Sequence, residues 1–293
     1  MPDSRWVSLL FATTRRHQED GFSGERNDGA INLGKTAVRI PESHEIGKIE
    51  RPLKFTLFNF TVYREKYNQN QHFTAGPVSV MSESEWVSHI QSFGVSDCLL
   101  FIHGFNTSFQ DSVFRFAQIV FDLRFDGLPI LFSWPSRAVS HDYLYDRDSA
   151  LGAAPQLVDV LQKVGSNNNI ERIHILAHSM GNFCLLHAVA FYLDRLEDIH
   201  IGEVIMAAPD IDRDLYKERA KLIRPRTSGM TLYASAADRA LAICAINLTS
   251  YAYLLDARII DCSNAPLLAF QSAQFHSTWW KFGAPGEIRT PDP

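Results

Sequence analysis

The sequence has few cysteines, no long apolar run and no block of basic residues. The four cysteines lack the paired spacing of a metal site and stand in apolar runs, so we expect buried free thiols. They are Cys98, Cys184, Cys244 and Cys262. No segment reaches the roughly 18 apolar residues of a membrane span. The net charge is −5, and no basic block is longer than Arg15-Arg16, so the sequence lacks the positive patch with which proteins bind nucleic acid or an anionic membrane.

No secretory signal is recognisable at the start of the chain. The first residues, "MPDSRWVSLLFATTRR", have one positive charge before a short apolar run and lack a small-residue cleavage site. We therefore expect a cytoplasmic protein. With 293 residues, 46% of them hydrophobic and 21% charged, the chain can form one large globular domain or two ordinary ones.

The composition changes near Ser96. Before this residue, polar loops separate short β-rich runs at 7–12, 37–40 and 54–63, which we expect to add antiparallel strands to one edge of a sheet. After it, continuous apolar runs suit parallel strands that are covered on both faces. These runs are "CLLFI" (98–102), "PILFSW" (129–134), "RIHILA" (172–177), "EVIMAA" (203–208), "MTLYAS" (230–235) and "ARIID" (257–261).

Helical patterns lie between the apolar runs. Ser108 and Asp111 form a capping box before a stripe of four residues, Val113, Phe116, Ala117 and Val120. A second stripe, Leu151, Ala154, Val158 and Leu161, ends near Gly165. Alternating strands and helices predict an α/β fold, with a doubly wound, mostly parallel sheet and extra N-terminal strands.

Ser179 lies in "RIHILAHSMGNFCLL", directly after an apolar strand and before an apolar helix. The pattern Gly or Ala, x, Ser, x, Gly occurs by chance in roughly one chain of this length in five. The prediction therefore depends on where the pattern lies, between a strand and a helix. A strained strand-to-helix turn would need the small neighbours Ala177 and Gly181, and would expose the hydroxyl of a nucleophile at the carboxyl edge of the sheet. The alternative is an ordinary N-capping serine.

A nucleophilic serine needs a base and an orienting carboxylate. The expected chain order is Ser, acid, His, and His276 in "AQFHSTWW" is the histidine that follows the last predicted strand. Its alternative is a surface-loop histidine. Asp238 is the favoured acid, and Asp210 occupies the other position that such a fold can use. Asp212 is expected to cap a helix at 213–221, and His174, His178 and His187 to pack around the turn.

Backbone N–H groups should form the oxyanion hole. The candidates are Met180, which follows the nucleophile, and Phe105 in the loop "HGFNTSF" after the strand at 98–102. Trp134 in "SWPS" ends a neighbouring strand, where it either lines the pocket or belongs to a proline turn. The candidate pocket residues are His103, Gly104, Trp134, His178 and Asp210.

Together these stretches resemble a bacterial α/β-hydrolase family of uncharacterised, esterase/lipase-like proteins. The matching stretches are "LLFATTR", "LLFIHGFNTSF", "ILFSWPS", "YDRDSA", "ILAHSMG", "AAPDIDRDLY", "LYASAADRAL" and "IIDCSNA". They run in the family's order, and the resemblance covers nearly everything from Val7 to Trp280. The resemblance implies an α/β-hydrolase fold and a serine hydrolase with Ser179, Asp238 and His276 on the triad positions, but it implies no particular substrate.

The expected activity is hydrolysis of carboxylic esters through an acyl-enzyme, without a metal or organic cofactor. The segment between "APDIDRD" and Met230 is too short for a cap domain, which favours an open site and short, soluble esters. The alternatives are an amidase or thioesterase that uses the same triad, or a catalytically silent scaffold that acts as a binding protein. The oligomeric state is not predicted.

The expected organisation is a single domain over residues 1–281, with N-terminal strands and loops at 1–95 and a catalytic core at 96–281. The tail "FGAPGEIRTPDP" (282–293) differs from the family, and antisense codons of a transfer RNA 3′ end can encode it. We expect this tail to be non-native and disordered.

Overall fold

The structure is a computed structural model and describes residues 5–19, 21–57, 60–234 and 258–261. Its strands are β1 (Trp6–Thr13), β2 (Arg15–Gln18), β3 (Gly21–Arg26), β4 (Asn32–Arg39), β5 (Lys54–Leu57), β6 (Phe60–Arg64), β7 (Thr74–Ala75), β8 (Ser79–Met81), β9 (Asp97–Ile102), β10 (Leu128–Ser133), β11 (Arg172–His178), β12 (Ile201–Ala207), β13 (Thr227–Ala234) and β14 (Arg258–Asp261). The α-helices are α1 (Glu83–Ser92), α2 (Phe109–Leu123), α3 (Tyr143–Gly152), α4 (Ala154–Gly165), α5 (Met180–Tyr192) and α6 (Arg213–Ile223). Short 3₁₀ helices cover Leu193–Leu196 and Arg224–Arg226.

One large sheet organises the molecule. Its strand order is β14-β13-β12-β11-β9-β10-β1-β4-β7, and β8 also pairs with β4. Every neighbouring pair from β14 to β1 is parallel, whereas β4 is antiparallel to β1, β7 and β8. The predicted doubly wound, mostly parallel sheet with antiparallel N-terminal strands is therefore confirmed.

The apolar strands are buried on both faces. In β9, Leu100 and Ile102 pack in the core that contains α1, α4, α5 and α6, whereas Leu99 and Phe101 pack in the core that contains α2. A strand between two helical layers needs apolar side chains in both alternating directions, which explains the continuous runs in the sequence. Between β12 and β13 the chain forms only α6 and one 3₁₀ turn, so this segment holds no cap domain.

Two local predictions are wrong. The single run expected at 54–63 is the hairpin β5–β6, which lies outside the large sheet. The helix expected from Leu151 to Leu161 breaks at Ala153, so that Leu151 belongs to α3 and the rest of the stripe to α4. Pro155 causes this break, because it has no N–H for a continuous helix and its ring would collide with the carbonyl of residue 151. Helix α4 ends at Gly165, as predicted.

Candidate active site

The candidate site lies where the connections of two neighbouring strands diverge. After β9 the chain continues through α2 to β10 on one side, and after β11 it continues through α5 to β12 on the other side. Open α/β sheets bind ligands in the crevice at the carboxyl ends of such strands. Ser179 directly follows β11, and the His103-Gly104 loop directly follows the adjacent strand β9.

Ser179 has a strained backbone, with φ 49° and ψ −122°. L-residues rarely occupy this region, and a residue held there costs on the order of 1–3 kcal/mol. The strained turn is held because the Ser179 N–H donates to the Ala207 carbonyl at 2.8 Å and the Ser179 carbonyl accepts the Asp210 N–H at 3.3 Å. The Ser179 side chain makes no capping hydrogen bond to α5, so the interpretation as an N-capping serine is wrong.

The turn is tight enough to require small residues, as expected. A Cβ on Gly181 would lie 2.5 Å from the Ile102 carbonyl oxygen and 2.7 Å from that of His103. A Cβ on Gly104 would lie 2.8 Å from the Ser179 Cβ. Real Cβ atoms do not approach other heavy atoms this closely, so glycine at these two positions lets the end of β9 and its loop pack directly against Ser179 and the first turn of α5.

The side chain of Asn182 stabilises the turn through hydrogen bonds. Its side chain is fully buried, and Nδ2 donates to the Ala177, Ser179 and Ala207 carbonyls at 3.0, 3.1 and 3.2 Å. The amide therefore ties the ends of β11 and β12 to the strained residue. Sequence reasoning missed Asn182, because an Asn in the first turn of a helix does not reveal contacts to a neighbouring strand.

His103 lies beneath the site and not in its wall. Its ring is 1% exposed and stacks on Trp134, with the two centroids 4.7 Å apart, while the Trp134 Nε1–H donates to the His103 carbonyl at 2.9 Å. Burial and the adjacent Arg15 guanidinium lower the pKa of His103 to about 3, so the ring is neutral at pH 7. Nδ1 lies 2.9 Å from the Gly104 carbonyl, and Nε2 lies 3.1 Å from the Trp134 carbonyl and 3.3 Å from Arg15 Nη2. A neutral ring carries one proton, and because Arg15 can only donate, its contact with Nε2 favours the tautomer with the proton on Nδ1, which donates to the Gly104 carbonyl. Trp134 is 0% exposed, and its contacts with His103 hold the start of the loop after β9 in place.

Two backbone N–H groups beside Ser179 lack acceptors within the described residues. The Gly104 carbonyl is turned towards the buried His103 ring, so the Phe105 N–H of the same trans peptide points away from it. Met180 is the first residue of α5, where an N–H has no intrahelical acceptor. Neither N–H has a hydrogen-bond partner in the described ranges.

A pocket of about 100 Å³ is lined by Met180, the residue that follows Ser179 in the chain, whereas Ser179 itself is not one of its lining residues. Asp210 lies in its wall, and Tyr143 donates to the Asp210 carboxylate at 3.1 Å. Asp212 caps α6 by accepting the N–H groups of Asp214 and Leu215, as predicted. The lining residues are Tyr143, Arg147, Met180, Phe183, Asp210, Ile211, Asp212 and Leu215.

Two of the predicted triad residues, Asp238 and His276, lie outside the described residues, so their roles stay predictions. Asp210, the alternative acid, lies beside Ser179 in the described part. His178 is exposed at the end of β11, and its Nδ1 would lie 2.8 Å from a Cβ on Gly104. His178 therefore flanks the crevice.

The other two histidines that we expected to pack around the turn, and the described cysteines, are parts of the scaffold. His174 accepts the Glu203 N–H between β11 and β12 at 3.0 Å, and His187 on α5 lies 3.2 Å from Arg219. Cys98 and Cys184 are buried and free, and burial raises the pKa of both thiols. Cys244 and Cys262 lie outside the described residues.

The described part of the chain contains neither a candidate metal site nor a candidate membrane span. No three His, Cys, Asp or Glu side chains there are grouped as metal ligands. No helix in the same ranges combines the length and apolar character needed to span a bilayer.

Sequence reasoning also missed two buried charged residues near the site, Arg15 and Asp146. They are 1% and 0% exposed. Both belong to stretches that carry the family resemblance, "LLFATTR" and "YDRDSA", but nothing in those stretches indicates burial or a shared partner. Tyr143 was also missed, because nothing in the sequence indicates its contact with Asp210, 67 positions away.

Comparison with known proteins agrees with this fold. Residues 79–252, more than half of the chain, match the family described as "Alpha/beta hydrolase of unknown function (DUF900)". The chain is also 34% identical over 56 residues to the uncharacterized protein alr1448 of Nostoc sp. (strain PCC 7120). That alignment covers 19% of this chain and 15% of the relative. The expected resemblance is thus confirmed, and the chain belongs to this family of alpha/beta hydrolases of unknown function.

Proposed function

We propose that this protein is a serine hydrolase that cleaves carboxylic esters, with Ser179 as the nucleophile. The observation that carries the proposal is the backbone of Ser179 at φ 49°, without a capping role for its side chain. Because such strain lowers stability, it persists where the surrounding structure enforces it and where it serves a function. Here the Gly181, Gly104 and Asn182 contacts enforce it.

The proposed reaction uses His276 as the base. His276 would take the hydroxyl proton of Ser179 as the oxygen attacks the ester carbonyl, and would return it to the leaving alcohol. Asp238 would hold the imidazole in the required tautomer and stabilise the imidazolium. Water would then cleave the acyl-serine by the same route, without a metal or organic cofactor.

The Phe105 and Met180 N–H groups are the proposed oxyanion hole. They flank Ser179, and neither has an acceptor among the described residues. A preorganised donor of this kind stabilises the negative oxygen of the tetrahedral intermediate, and losing one costs roughly 10²–10³ in kcat. The first N–H of a helix is ordinarily without an intrahelical acceptor, so Met180 supplies a donor that is open to a ligand, and the Phe105 N–H would be the second donor.

The pocket favours a short acyl or alkyl group. Its volume of about 100 Å³ is well below the roughly 300–1,000 Å³ of sites for drug-sized ligands. The wall combines the apolar side chains of Met180, Phe183 and Leu215 with the polar groups of Tyr143 and Asp210. A short, partly polar ester suits such a wall better than a long-chain lipid does.

The test is hydrolysis of p-nitrophenyl acetate, butyrate and palmitate by the full chain and by its Ser179→Ala variant. We expect the short esters to react faster than palmitate, and the variant to lose on the order of 10⁶ in turnover. Ser166→Ala, an exposed serine beyond α4, is the matched control and should keep full activity. Equal rates for wild type and Ser179→Ala would refute the proposal and favour a silent scaffold.

A fluorophosphonate probe tests the same proposal without an assumed substrate. Only an activated serine is labelled rapidly, so labelling should require Ser179. The two candidate acids are separated by Asp238→Asn and Asp210→Asn. We expect the former to lose roughly 10⁴ in kcat, and a loss of that size in Asp210→Asn alone would transfer the role to Asp210.

A further inference from the structure

Arg15 is a fully buried cation where the chain passes from β1 into β2. Its Nε donates to the Ser133 hydroxyl at 2.9 Å, and its Nη1 donates to the carbonyls of Ser136 at 2.9 Å and Ser23 at 3.3 Å. Its Nη2 donates to the Thr107 carbonyl at 2.7 Å. The planar guanidinium thus joins the loop after β9 to the loop after β10 with donors in fixed directions.

Asp146 is a fully buried anion on α3 that holds the same two loops. Its carboxylate accepts the Asn106 N–H at 3.2 Å and the Arg137 N–H at 2.9 Å. It also accepts the Ser136 hydroxyl at 2.5 Å. Each of these donors belongs to a loop that follows β9 or β10.

Ser136 connects the two charged residues. Its hydroxyl donates to Asp146 and accepts the Thr107 N–H at 2.9 Å, while its carbonyl accepts from Arg15. Burial lowers the pKa of Arg15 to about 9 although the charge of Asp146 opposes the shift, so Arg15 stays protonated at pH 7. The buried charges are therefore stabilised through shared hydrogen bonds and not through a direct ion pair.

The network forms hydrogen bonds with the residues on either side of Phe105, but none with the Phe105 N–H, the proposed oxyanion donor. Arg15 holds the loop at the His103 ring and the Thr107 carbonyl, and Asp146 holds it at the Asn106 N–H. On the opposite side, Gly104 lies against Ser179. The Phe105 N–H has no partner within the described residues.

We propose that Arg15 and Asp146 are positioning residues, which fix the loop at 103–107 so that the Phe105 N–H faces the oxyanion formed at Ser179. This inference rests on the proposed esterase function. A displacement of about 1 Å in a catalytic group can cost on the order of 10²-fold in rate. Neither side chain contacts the substrate in this role; both act through the loop.

The test compares Arg15→Met, Arg15→Lys, Asp146→Asn and Ser136→Ala with wild type. Three quantities are measured: kcat and KM for p-nitrophenyl butyrate, and Ki for 1-butaneboronic acid, which adds to the serine oxygen and mimics the tetrahedral intermediate. We expect Arg15→Met and Asp146→Asn to lower kcat roughly 10- to 100-fold and to raise Ki by the same factor, with KM nearly unchanged. Arg15→Lys keeps the charge without the planar fork and should fall in between.

The matched control is Asp97→Asn at the start of β9, which removes the charge that pairs with Arg172 and lies 3.7 Å from His174, at the opposite ends of these strands from Ser179. It should leave kcat and Ki unchanged. Ser136→Ala removes one hydroxyl from the network with little loss of volume, so it tests the inference even if the charged variants fail to fold. Folded variants whose kcat and Ki both match those of wild type would overturn the positioning role. A wild type without Ser179-dependent activity would instead overturn the proposed function itself.

Discussion

Replacing Gly181 by alanine tests the geometry on which the site depends. The new Cβ would lie 2.5 Å from the Ile102 oxygen, 2.7 Å from the His103 oxygen and 3.0 Å from the Ile102 carbonyl carbon. These are backbone atoms at the end of a central strand, so they cannot rotate away. The first turn of α5 would have to move off β9 and take Ser179 with it.

Two opposing effects set the size of the change. Alanine gains up to about 1 kcal/mol over glycine in a helix, whereas overpacking costs typically about 1–3 kcal/mol. Since the contacts are with backbone, we expect the upper part of that range and a net loss of about 1–2 kcal/mol in the free energy of unfolding. At roughly 2–4 °C per kcal/mol, the melting temperature should fall by about 2–8 °C.

The matched control is Gly152→Ala at the end of α3. No atom lies within 4 Å of a Cβ at this position, so the substitution should stabilise the protein by about 0.4–1 kcal/mol. Thermal unfolding followed by circular dichroism measures both variants, and p-nitrophenyl butyrate hydrolysis measures the site. Gly181→Ala should also lose about 10-fold or more in kcat because Ser179, the proposed nucleophile, moves. If the two alanine variants had equal melting temperatures and equal activity, the proposed close packing at Gly181 would be refuted.

Three further predictions concern strain, support and pH. Ser179→Gly should be more stable than Ser179→Ala by about 0.5–2 kcal/mol in urea unfolding, since only glycine relieves the strained backbone, while both variants lack activity; equal stabilities would contradict the strain. Asn182→Ala should lose about 1–3 kcal/mol of stability in the same assay, because buried carbonyls lose their donor; an unchanged midpoint would contradict the bracing role. Burial by itself lowers the pKa of His44, but its hydrogen bonds to Asp122 and Glu50 outweigh this and raise it above 6.5. The folded state then holds the His44 proton more tightly than the unfolded state does, so this contribution to stability is complete below pH 6.5 and is lost as the pH rises through the folded-state pKa. The melting temperatures of wild type and His44→Gln should therefore converge as the pH rises. A difference that stays constant with pH would refute the assignment.

The strands were predictable because burial on two faces has a simple sequence signature. The predicted runs at 98–102 and 172–177 match β9 and β11 to within one residue at each end. The serine turn was predictable for a related reason, since small residues at fixed offsets mark a tight connection between such elements. The break between α3 and α4 was not predicted, because the apolar stripe continues across Pro155 and hides the local effect of the proline.

Residues that support the site were not predictable. Arg15 and Ser136 are separated by 121 positions in the sequence, and Arg15 and Thr107 by 92. Nothing in a polar stretch such as "TTRRHQ" distinguishes an arginine that will be buried from one that will be solvated. His44 provides a second case, because one of its two carboxylate partners lies 78 positions away on α2.

The sequence by itself determined the fold class, the position of the strands in the parallel part of the sheet and the tight turn at Ser179, since these depend on local patterns of apolar and small residues. Only the tertiary structure decided that Ser179 is strained and does not cap α5, that His103 and Trp134 are buried beneath the site, and that Arg15, Asp146 and Asn182 support it. Long-range contacts determine these features. They arise when the strand ends meet at one edge of the sheet, and a buried charge or amide there must find its hydrogen-bond partners in whichever loops the topology brings together.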